Sequence, residues 1–460
     1  MGHYTLVCTH PDCRRRYAGS EDRFRLFCDD ELDGMHGPAL LRTLYEKKRI
    51  TAYEDLGLSK YRDWLPWGNL SLNIPGITLT YKSRRTGASR YDRARSLGDF
   101  LGLNDLWIAY SAYRGDGSQN DIRSRTFKLL EASGVYGRVA YNFRQLESVN
   151  PFLITSAGNT ANAFAFASHC LNVPVAIVIP ESGLESMVLP VDAHPFLIVV
   201  KGGDYSDAIA IGEKVAERRG LMVEGGVRNI GRRDGMGTAM LEAVLTRMET
   251  DGKGIFDHYV QAVGSGTGGI AAWETVCRLR NDGRFGDNTT TLHLAQSSSF
   301  APMVDAFENP EKTLSPINEE MARLAIFNVA APVLTNRNPA WSIKGGVRDA
   351  LEDTGGKMYR VSNKAAAEWG DIFWQLEGRH VGDAPKVAIA ALAQAVNEDY
   401  IKSDESVLLH VTGGGLPLQM QRECLFPMKP DLLVPREGDF DELMQSVSLA
   451  TYSPLQLVSK

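Results

Sequence analysis

The chain has 460 residues, 43% of them apolar, and a formal net charge of −6. A chain of this length can bury a large core and exceeds the usual size of one domain, so it predicts a globular protein with two lobes. The acidic balance argues against nucleic-acid binding. The N-terminus has no apolar signal core, and no stretch reaches the roughly 18 consecutive apolar residues of a membrane helix, which predicts a cytoplasmic protein without a membrane partner.

The first 35 residues contain Cys8, Cys13 and Cys28 in a spacing similar to that of a small zinc ribbon. Cysteines in a chain without an export signal are more typical of free thiols or metal ligands than of disulfides. A closed zinc site usually has four ligands in paired short spacings, and Cys28 has no nearby partner thiol. The sequence therefore predicts a metal-free, vestigial ribbon, with His10 as the fourth ligand if an ion is bound.

From residue 36 to 95 the chain is mixed, and the Trp-Pro cluster at 64–67 predicts a linker packed onto a domain. Strands and helices then alternate, as in parallel βαβ units. The apolar runs predict strands at 106–109, 152–155, 175–180, 196–200, 258–263, 290–296 and 406–411. The patterns between them predict helices at 125–133, 160–170, 205–219, 270–280 and 384–396.

This order predicts three parts. Residues 1–95 form an N-terminal extension packed on the large lobe, with the vestigial ribbon at 1–35. Residues 96–135 and 223–460 form the large lobe, and residues 136–222 form the small substrate lobe.

A glycine-rich turn joins a predicted strand to a predicted helix and consists of Gly264, Ser265, Gly266, Thr267, Gly268 and Gly269. Glycine lets backbone N–H groups approach an anion, and a helix N-terminus carries partial positive charge, so this turn can hold a phosphate. The spacing also fits a dinucleotide fingerprint. That fingerprint needs an acidic residue at the end of the next strand, where this chain has Gln296-Ser297-Ser298, so a nicotinamide cofactor is not favoured.

The segment Ser156-Ala157-Gly158-Asn159-Thr160 also joins a strand to a helix, so its N–H groups can hold a carboxylate. An ordinary helix cap explains the same residues equally well. Upstream, Lys128 lies between two apolar residues, surroundings that lower the pKa of an amine and favour its nucleophilic form. An amine, an Asn-bearing loop and a phosphate turn, in this order, together predict pyridoxal phosphate as the cofactor.

Thr412 follows a late apolar strand and precedes three glycines. Its hydroxyl suits the pyridine nitrogen of such a cofactor, and a neutral partner leaves that nitrogen unprotonated. This limits the electron sink and favours elimination and replacement at Cβ over transamination.

The chain resembles the tryptophan synthase β-like, or fold type II, pyridoxal phosphate enzymes, and within them the cysteate synthases, which are related to threonine synthases. The resemblance covers nearly the whole chain and rests on Thr-Phe-Lys-x-Leu-Glu-Ala at 126–132, Ser-Ala-Gly-Asn-Thr at 156–160, Glu-Gly-Gly-x-Arg-Asn at 224–229, Arg-Arg-x-Gly-Met-Gly-Thr at 232–238, Gln-Ala-Val-Gly-Ser-Gly-Thr-Gly-Gly-Ile at 261–270, Val-Leu-Thr-Asn-Arg at 333–337 and Gly-Gly-Gly at 413–415. Threonine synthases typically follow their lysine with Asp-Arg, whereas this chain has Leu129-Leu130. It departs from the archaeal enzymes at Arg125, where a small residue is expected.

The resemblance implies an α/β fold of type II, with two open twisted lobes and the cofactor in the cleft between them. It implies that Lys128 carries pyridoxal 5'-phosphate as a Schiff base and is the catalytic residue. Asn159 would bond the 3-hydroxyl, residues 264–269 would hold the phosphate, and Thr412 would meet the ring nitrogen. The loop residues Ser156, Ala157, Gly158 and Thr160 would bind the substrate carboxylate.

Five cations lie near these motifs, and we expect some of them to bind the leaving phosphate or the incoming anion. They are Arg228, Arg232, Arg233, Arg337 and Lys344. Of these, Arg337 and Lys344 are assigned to the substrate.

The implied reaction is β-replacement on O-phospho-L-serine through an aminoacrylate intermediate, with sulfite as the nucleophile and L-cysteate and phosphate as products. The alternatives are a threonine synthase-like reaction on O-phosphohomoserine and β-replacement with another nucleophile. A non-catalytic pyridoxal phosphate binder would need no second lobe, and a zinc-ribbon interaction protein would explain residues 1–35 alone. We also expect a homo-oligomer, either a dimer or a trimer.

Overall fold

The computed structural model describes residues 2–70, 72–83, 96–144, 150–156 and 158–437. Its strands are β1 Tyr4–Cys8, β2 Arg16–Ala18, β3 Leu41–Tyr45, β4 Leu79–Lys82, β5 Asp105–Tyr110, β6 Phe152–Thr155, β7 Val175–Pro180, β8 Val188–Leu189, β9 Phe196–Lys201, β10 Met222–Val223, β11 His258–Ala262, β12 Thr291–Ser297, β13 Lys357–Val361, β14 Ser406–Val411, β15 Phe426–Pro427 and β16 Leu432–Pro435. Its α-helices are α1 Asp29–Leu32, α2 Leu97–Leu101, α3 Lys128–Asn142, α4 Asn159–Leu171, α5 Tyr205–Arg219, α6 Ile230–Asp251, α7 Thr267–Asp282, α8 Pro302–Glu308, α9 Glu319–Phe327, α10 Val347–Thr354, α11 Asn363–Glu377, α12 Asp383–Asn397 and α13 Leu416–Arg422.

A six-stranded sheet forms the centre of the large lobe, in the order β13-β12-β11-β14-β5-β4. Its strands run parallel except for β4, which pairs antiparallel with β5 at one edge. The apolar runs β5 and β14 are buried along their whole length, as expected of strands with helices on both faces. Because β4 lies within residues 1–95, part of the predicted N-terminal extension is a strand of the large lobe.

A five-stranded parallel sheet forms the small lobe, in the order β10-β6-β7-β9-β16. Strands β6, β7 and β9 were predicted from their apolar runs, and the structure confirms them. The assignment of all of residues 223–460 to the large lobe is wrong at its end, because β16 pairs with β9 and β15 pairs with β8. The chain therefore returns to the small lobe after completing the large one.

Helix α3 packs against α6 in the core of the large lobe. The two helices approach closely because glycines face each other: a Cβ on Gly134 would lie 1.9 Å from the carbonyl oxygen of Gly231, and one on Gly235 would lie 2.1 Å from that of Leu130. On another face of α3, Gly137 meets the ring of Trp67, which confirms that the aromatic cluster packs onto a domain. These contacts fix the axis of the helix that begins at Lys128.

A third, small sheet of β2-β1-β3 carries the N-terminal cysteines. It packs through a buried cluster that includes Ile230 at the start of α6. Within the ranges given above, no helix is both long and apolar enough to cross a membrane.

Candidate active site

Lys128 is the first residue of α3, at the carboxyl edge of the large sheet. The segment before it is held by β14: Phe127 N–H donates to the carbonyl of Thr412 at 3.0 Å, and Thr126 forms a bridge with Gly413. The Lys128 side chain keeps 20% of its surface exposed, so it is not sealed in the core. Burial lowers the pKa of this amine, which confirms the direction expected from its apolar neighbours.

Glu131, one turn along α3, is the partner of this amine. Lys128 Nζ donates to Glu131 Oε2 at 2.9 Å, and the carboxylate is fully buried. On its other side Glu131 lies 2.9 Å from Arg232, which also pairs with Glu224. Lys128, Glu131, Arg232 and Glu224 therefore form a chain of ion pairs in which positive and negative side chains alternate. Sequence reasoning missed Glu131 as a site residue, although its position three residues after Lys128 on a helix was a usable signal.

The glycine-rich turn joins β11 to α7, as predicted. Gly266 caps the helix with φ +85°, and a Cβ there would lie 2.1 Å from Val347 Cγ2. Thr267 N–H donates to Ser265 Oγ at 3.4 Å. Within the described ranges, the other N–H groups of residues 264–269 have no protein acceptor. Unpaired N–H groups at a helix N-terminus are donors for a phosphate, so the turn fits the cofactor.

Two further predicted cofactor ligands lie at strand ends that face the cleft. Thr412 follows β14, which neighbours β11 in the sheet, and Asn159 begins α4 after β6 of the small lobe. In the part of the chain that the structure covers, neither side chain has a hydrogen-bond partner. Thr126 Oγ1, beside Gly413, is buried and also unpaired. A buried polar atom such as Thr126 Oγ1 needs a partner, and the side chains of Asn159 and Thr412 are free to bond a cofactor.

The loop at 156–160 shows one of its two predicted roles, that of a helix cap. Ser156 Oγ accepts N–H groups from Gly158 and Ala161, both at 3.1 Å, so this hydroxyl caps α4. Gly158 has φ +139° and faces Ser186. Ala157 lies outside the described residues. The assignment of Ser156, Gly158 and Thr160 to a substrate carboxylate stays a prediction.

Every cation that the sequence pointed to as an anion ligand has a carboxylate partner. The pairs are Arg228 with Glu31, Arg232 with Glu131 and Glu224, Arg233 with Glu274, Arg337 with Asp204 and Glu319, and Lys344 with Asp349. Arg337 thereby links the start of α5 to that of α9, while Lys344 is the loosest of the pairs at 3.6 Å. The roles of Arg337 and Lys344 in substrate binding stay predictions.

Arg125, three residues before Lys128, is different. It is 8% exposed, and no carboxylate of the described residues lies within 4 Å of it. Its guanidinium donates to the carbonyl of Val188 at 2.8 Å, across the junction with the small lobe. Burial lowers the pKa of Arg125 to about 10. Its backbone has φ +68°, a conformation that costs a non-glycine residue roughly 1–2 kcal/mol. A buried cation that bonds only neutral oxygens, on strained backbone, is a candidate anion ligand.

A buried histidine, His410, packs against the ring of Phe127, the residue before Lys128. His410 contacts the Phe127 ring edge-on at 5.3 Å between centroids, and its nitrogens bond Tyr259 at 2.7 Å and Ser111 at 2.9 Å. Burial lowers the pKa of His410 to about 3, so the ring is neutral. Sequence reasoning missed it, because the pattern of an apolar strand does not reveal a bonded histidine.

The candidate metal ligands lie away from this cleft, in the N-terminal sheet. Cys8, Cys13 and Cys28 come together, and the fourth nitrogen or sulfur beside them belongs to His36. The assignment of His10 as fourth ligand is therefore wrong. Its ring stacks on His36, with 4.5 Å between the ring centroids.

A family model described as "Pyridoxal-phosphate dependent enzyme" matches residues 119–413. Among curated proteins, cysteate synthases are similar over nearly the whole chain. That of Methanosphaerula palustris is 39% identical, with 97% of this chain and 98% of the relative covered. Those of Methanocella paludicola and Methanosarcina mazei are 38% and 37% identical, with 94% and 96% of this chain and 95% and 100% of the relatives covered.

Solved structures share the fold. Maize serine racemase has a TM-score of 0.53 at 15% identity, covering 75% of this chain and 92% of that one. Diaminopropionate ammonia lyase from Escherichia coli has a TM-score of 0.54 at 14% identity, covering 77% and 97%. The predicted α/β fold of type II is confirmed.

Proposed function

Because the chain belongs to the pyridoxal-phosphate dependent enzymes and, within them, to the cysteate synthases, we propose that it makes L-cysteate from O-phospho-L-serine and sulfite. In this β-replacement the C–O bond at Cβ breaks, phosphate leaves, and a C–S bond forms at the same carbon. The observation that carries the proposal is that a partly buried amine, Lys128, and a turn of unpaired N–H groups at 264–269 lie at the same carboxyl edge of the large sheet.

Pyridoxal phosphate, when bound, supplies the electron sink for a carbanion at the substrate Cα. We assign its attachment to Lys128, its phosphate to residues 264–269, its 3-hydroxyl to Asn159 and its ring nitrogen to Thr412. The N–H groups of residues 264–269, which have no protein acceptor within the described ranges apart from that of Thr267, support the assignment of the phosphate.

Lys128 is also the residue that we assign to proton transfer at Cα. Burial lowers the pKa of its amine, which favours the neutral form that a base needs. Glu131 accepts a hydrogen bond from this amine at 2.9 Å and, being fully buried, holds it in one place. When the amine takes up a proton, the adjacent carboxylate stabilises the charge.

Both small reactants carry oxyanions, and a dianion in a cleft needs charged donors. Arg125 supports this role, because its guanidinium is buried without a carboxylate and lies three residues from Lys128. Its contact with Val188 also places it at the lobe junction. We therefore add Arg125 to Arg337 and Lys344 as an anion ligand.

The alternative reactions are not favoured. The relatives that match over most of the chain are cysteate synthases, and none of those named above is a threonine synthase. Leu129-Leu130 after the lysine, in place of Asp-Arg, agrees with that distinction.

The proposal is tested by supplying purified protein with O-phospho-L-serine and sulfite and measuring phosphate release together with L-cysteate by mass spectrometry. Equimolar formation of both is expected. Matched mixtures contain O-phosphohomoserine, serine or O-acetylserine, or replace sulfite by sulfide or water. Faster turnover of O-phosphohomoserine to threonine, or a product that lacks the sulfonate, would reject the proposal.

We also propose a cytoplasmic location and an assembly of two or three copies. The six cysteines, all free in the structure, agree with a reducing compartment. Sedimentation equilibrium of the purified protein measures the copy number, and a monomer at micromolar concentration would contradict the second statement.

A further inference from the structure

Three cysteines and a histidine converge in the N-terminal sheet, outside the catalytic cleft. Cys8 ends β1, Cys13 lies in the loop to β2, Cys28 precedes α1, and His36 follows that helix. Their sulfur and nitrogen atoms all lie within 4.8 Å of one another, and the three cysteines are buried. No other cluster of this kind occurs in the residues that the structure describes.

Two separations within the cluster match the edges of a tetrahedral metal site. The Sγ atoms of Cys13 and Cys28 are 3.6 Å apart, and Cys8 Sγ is 3.7 Å from His36 Nε2. A zinc tetrahedron with Zn–S of about 2.3 Å and Zn–N of about 2.0 Å has S···S edges of about 3.8 Å and S···N edges of about 3.6 Å. A disulfide needs a sulfur separation of about 2.05 Å, so the two cysteines are not bridged.

A hydroxyl beside the cluster suits a thiolate. The Tyr17 hydroxyl lies 3.4 Å from Cys28 Sγ, within hydrogen-bonding distance of a sulfur. Such a donor stabilises negative charge on the sulfur, which a bound cation would neutralise.

The histidine is held in the tautomer that binds metals. His36 Nδ1 lies 2.7 Å from the carbonyl oxygen of Gly37. Because a carbonyl only accepts, Nδ1 must carry the proton, which leaves the lone pair on Nε2 directed at the sulfurs. Ligating histidines are commonly fixed in this way.

We propose that Cys8, Cys13, Cys28 and His36 bind a structural zinc ion. Thiolate and imidazole ligands in a tetrahedral arrangement favour zinc, and four protein ligands leave no open position for catalysis. The sequence predicted a metal-free ribbon because His36 lies far from the cysteine pair along the chain and follows no paired spacing.

The ion would stabilise contacts with residues 344–347, a segment that packs against the glycine-rich turn at 264–269. Thr9, next to Cys8, donates its hydroxyl to the carbonyl of Lys344 at 2.8 Å, and Leu40 N–H donates to the same carbonyl at 2.9 Å. Three residues further on, Val347 contacts the position of Gly266. Through Thr9, the metal site therefore contacts the segment 344–347, and that segment packs against the turn assigned to the cofactor phosphate.

The test uses the full-length protein with its cofactor and measures metal by elemental mass spectrometry. About one zinc per chain is expected. Exchange with Co²⁺ should give the visible absorption of a tetrahedral thiolate site, and chelation should lower the melting temperature by roughly 5 °C or more, reversed by added zinc.

Variants identify the ligands independently of turnover. His36→Ala and Cys28→Ser should each lose most of the metal, whereas His10→Ala, which removes the ring stacked on His36 and its contact with the Asp12 N–H, should keep it. If Cys28→Ser fails to fold, the metal content of His36→Ala and the cobalt spectrum of the wild type still test whether these residues bind the ion. Wild-type protein that takes up no stoichiometric zinc or cobalt, that contains a Cys13–Cys28 disulfide as isolated, or that keeps its metal after His36→Ala would overturn the proposal.

Discussion

Replacing Arg125 by Gln removes the one buried guanidinium of the lobe junction that lacks a carboxylate partner among the described residues. Fold stability should change little. The variant loses the 2.8 Å hydrogen bond to Val188 and two long ones, to Gln419 and Ser186, which together contribute about 1–2 kcal/mol, but it orphans no carboxylate and removes a desolvated charge.

The effect on catalysis should be much larger. Hydrogen bonds to charged groups contribute about 1.5–3 kcal/mol, which corresponds to a loss of about 10- to 150-fold in kcat/KM for the oxyanion that Arg125 binds. Initial rates measured against O-phospho-L-serine and against sulfite show which reactant is affected.

Arg123→Gln is the matched control. Arg123 lies two residues away, is partly exposed and pairs with Glu423 at 3.2 Å, so a loss of less than about threefold is expected. If Arg125→Gln keeps the wild-type kcat/KM for both reactants, Arg125 is not an anion ligand. An equal loss for both reactants together with a large fall in melting temperature would also refute the reasoning, since it would indicate a structural role.

Three further changes test other parts of the site. Gly266→Val should fold but lose pyridoxal phosphate occupancy, because its side chain would meet Val347, whereas Gly283→Val, at a similar φ of +80° in open space, should stay fully loaded when absorbance and cofactor content are measured. Thr412→Asp should favour a protonated ring and raise the ratio of transamination by-product to L-cysteate, and an unchanged ratio would remove Thr412 from the ring nitrogen. His410→Asn tests a pH effect: the folded pKa is about 3 and the unfolded one about 6.5, so below pH 6.5 only the unfolded state takes up this proton, and stability falls as pH falls. Denaturant titrations between pH 6 and 4 should give the variant a slope shallower by about 1.4 kcal/mol per pH unit, and identical slopes would mean that His410 titrates normally.

The central strands could be predicted because their apolar runs are bounded by loops and match the period of buried parallel strands. Phe152–Thr155, Val175–Pro180 and Ser406–Val411 occur with the bounds that were predicted. Helix α6 was missed, although it is the longest helix described, because its glycines and arginines resemble a loop until α3 is placed against them.

The charges of the site could not be predicted, because their partners are distant along the chain. Arg232 pairs with Glu131, and Arg337 pairs with Asp204, contacts that no local pattern indicates. The same limit applies to His36 beside Cys28 and to β16, which completes the small sheet from the far end of the chain. Local motifs pointed to the groups that we assign to the cofactor, while only the fold reveals which cations lack a carboxylate partner.

The most direct test of the account is the site of cofactor attachment. Borohydride reduction of the purified enzyme, followed by proteolysis and mass spectrometry, fixes the phosphopyridoxyl group on the amine that carries it. The adduct should lie on the peptide that contains Lys128 and be absent from Lys128→Ala, which should also make no L-cysteate. An adduct on another lysine, or full turnover by Lys128→Ala, would contradict the central claim.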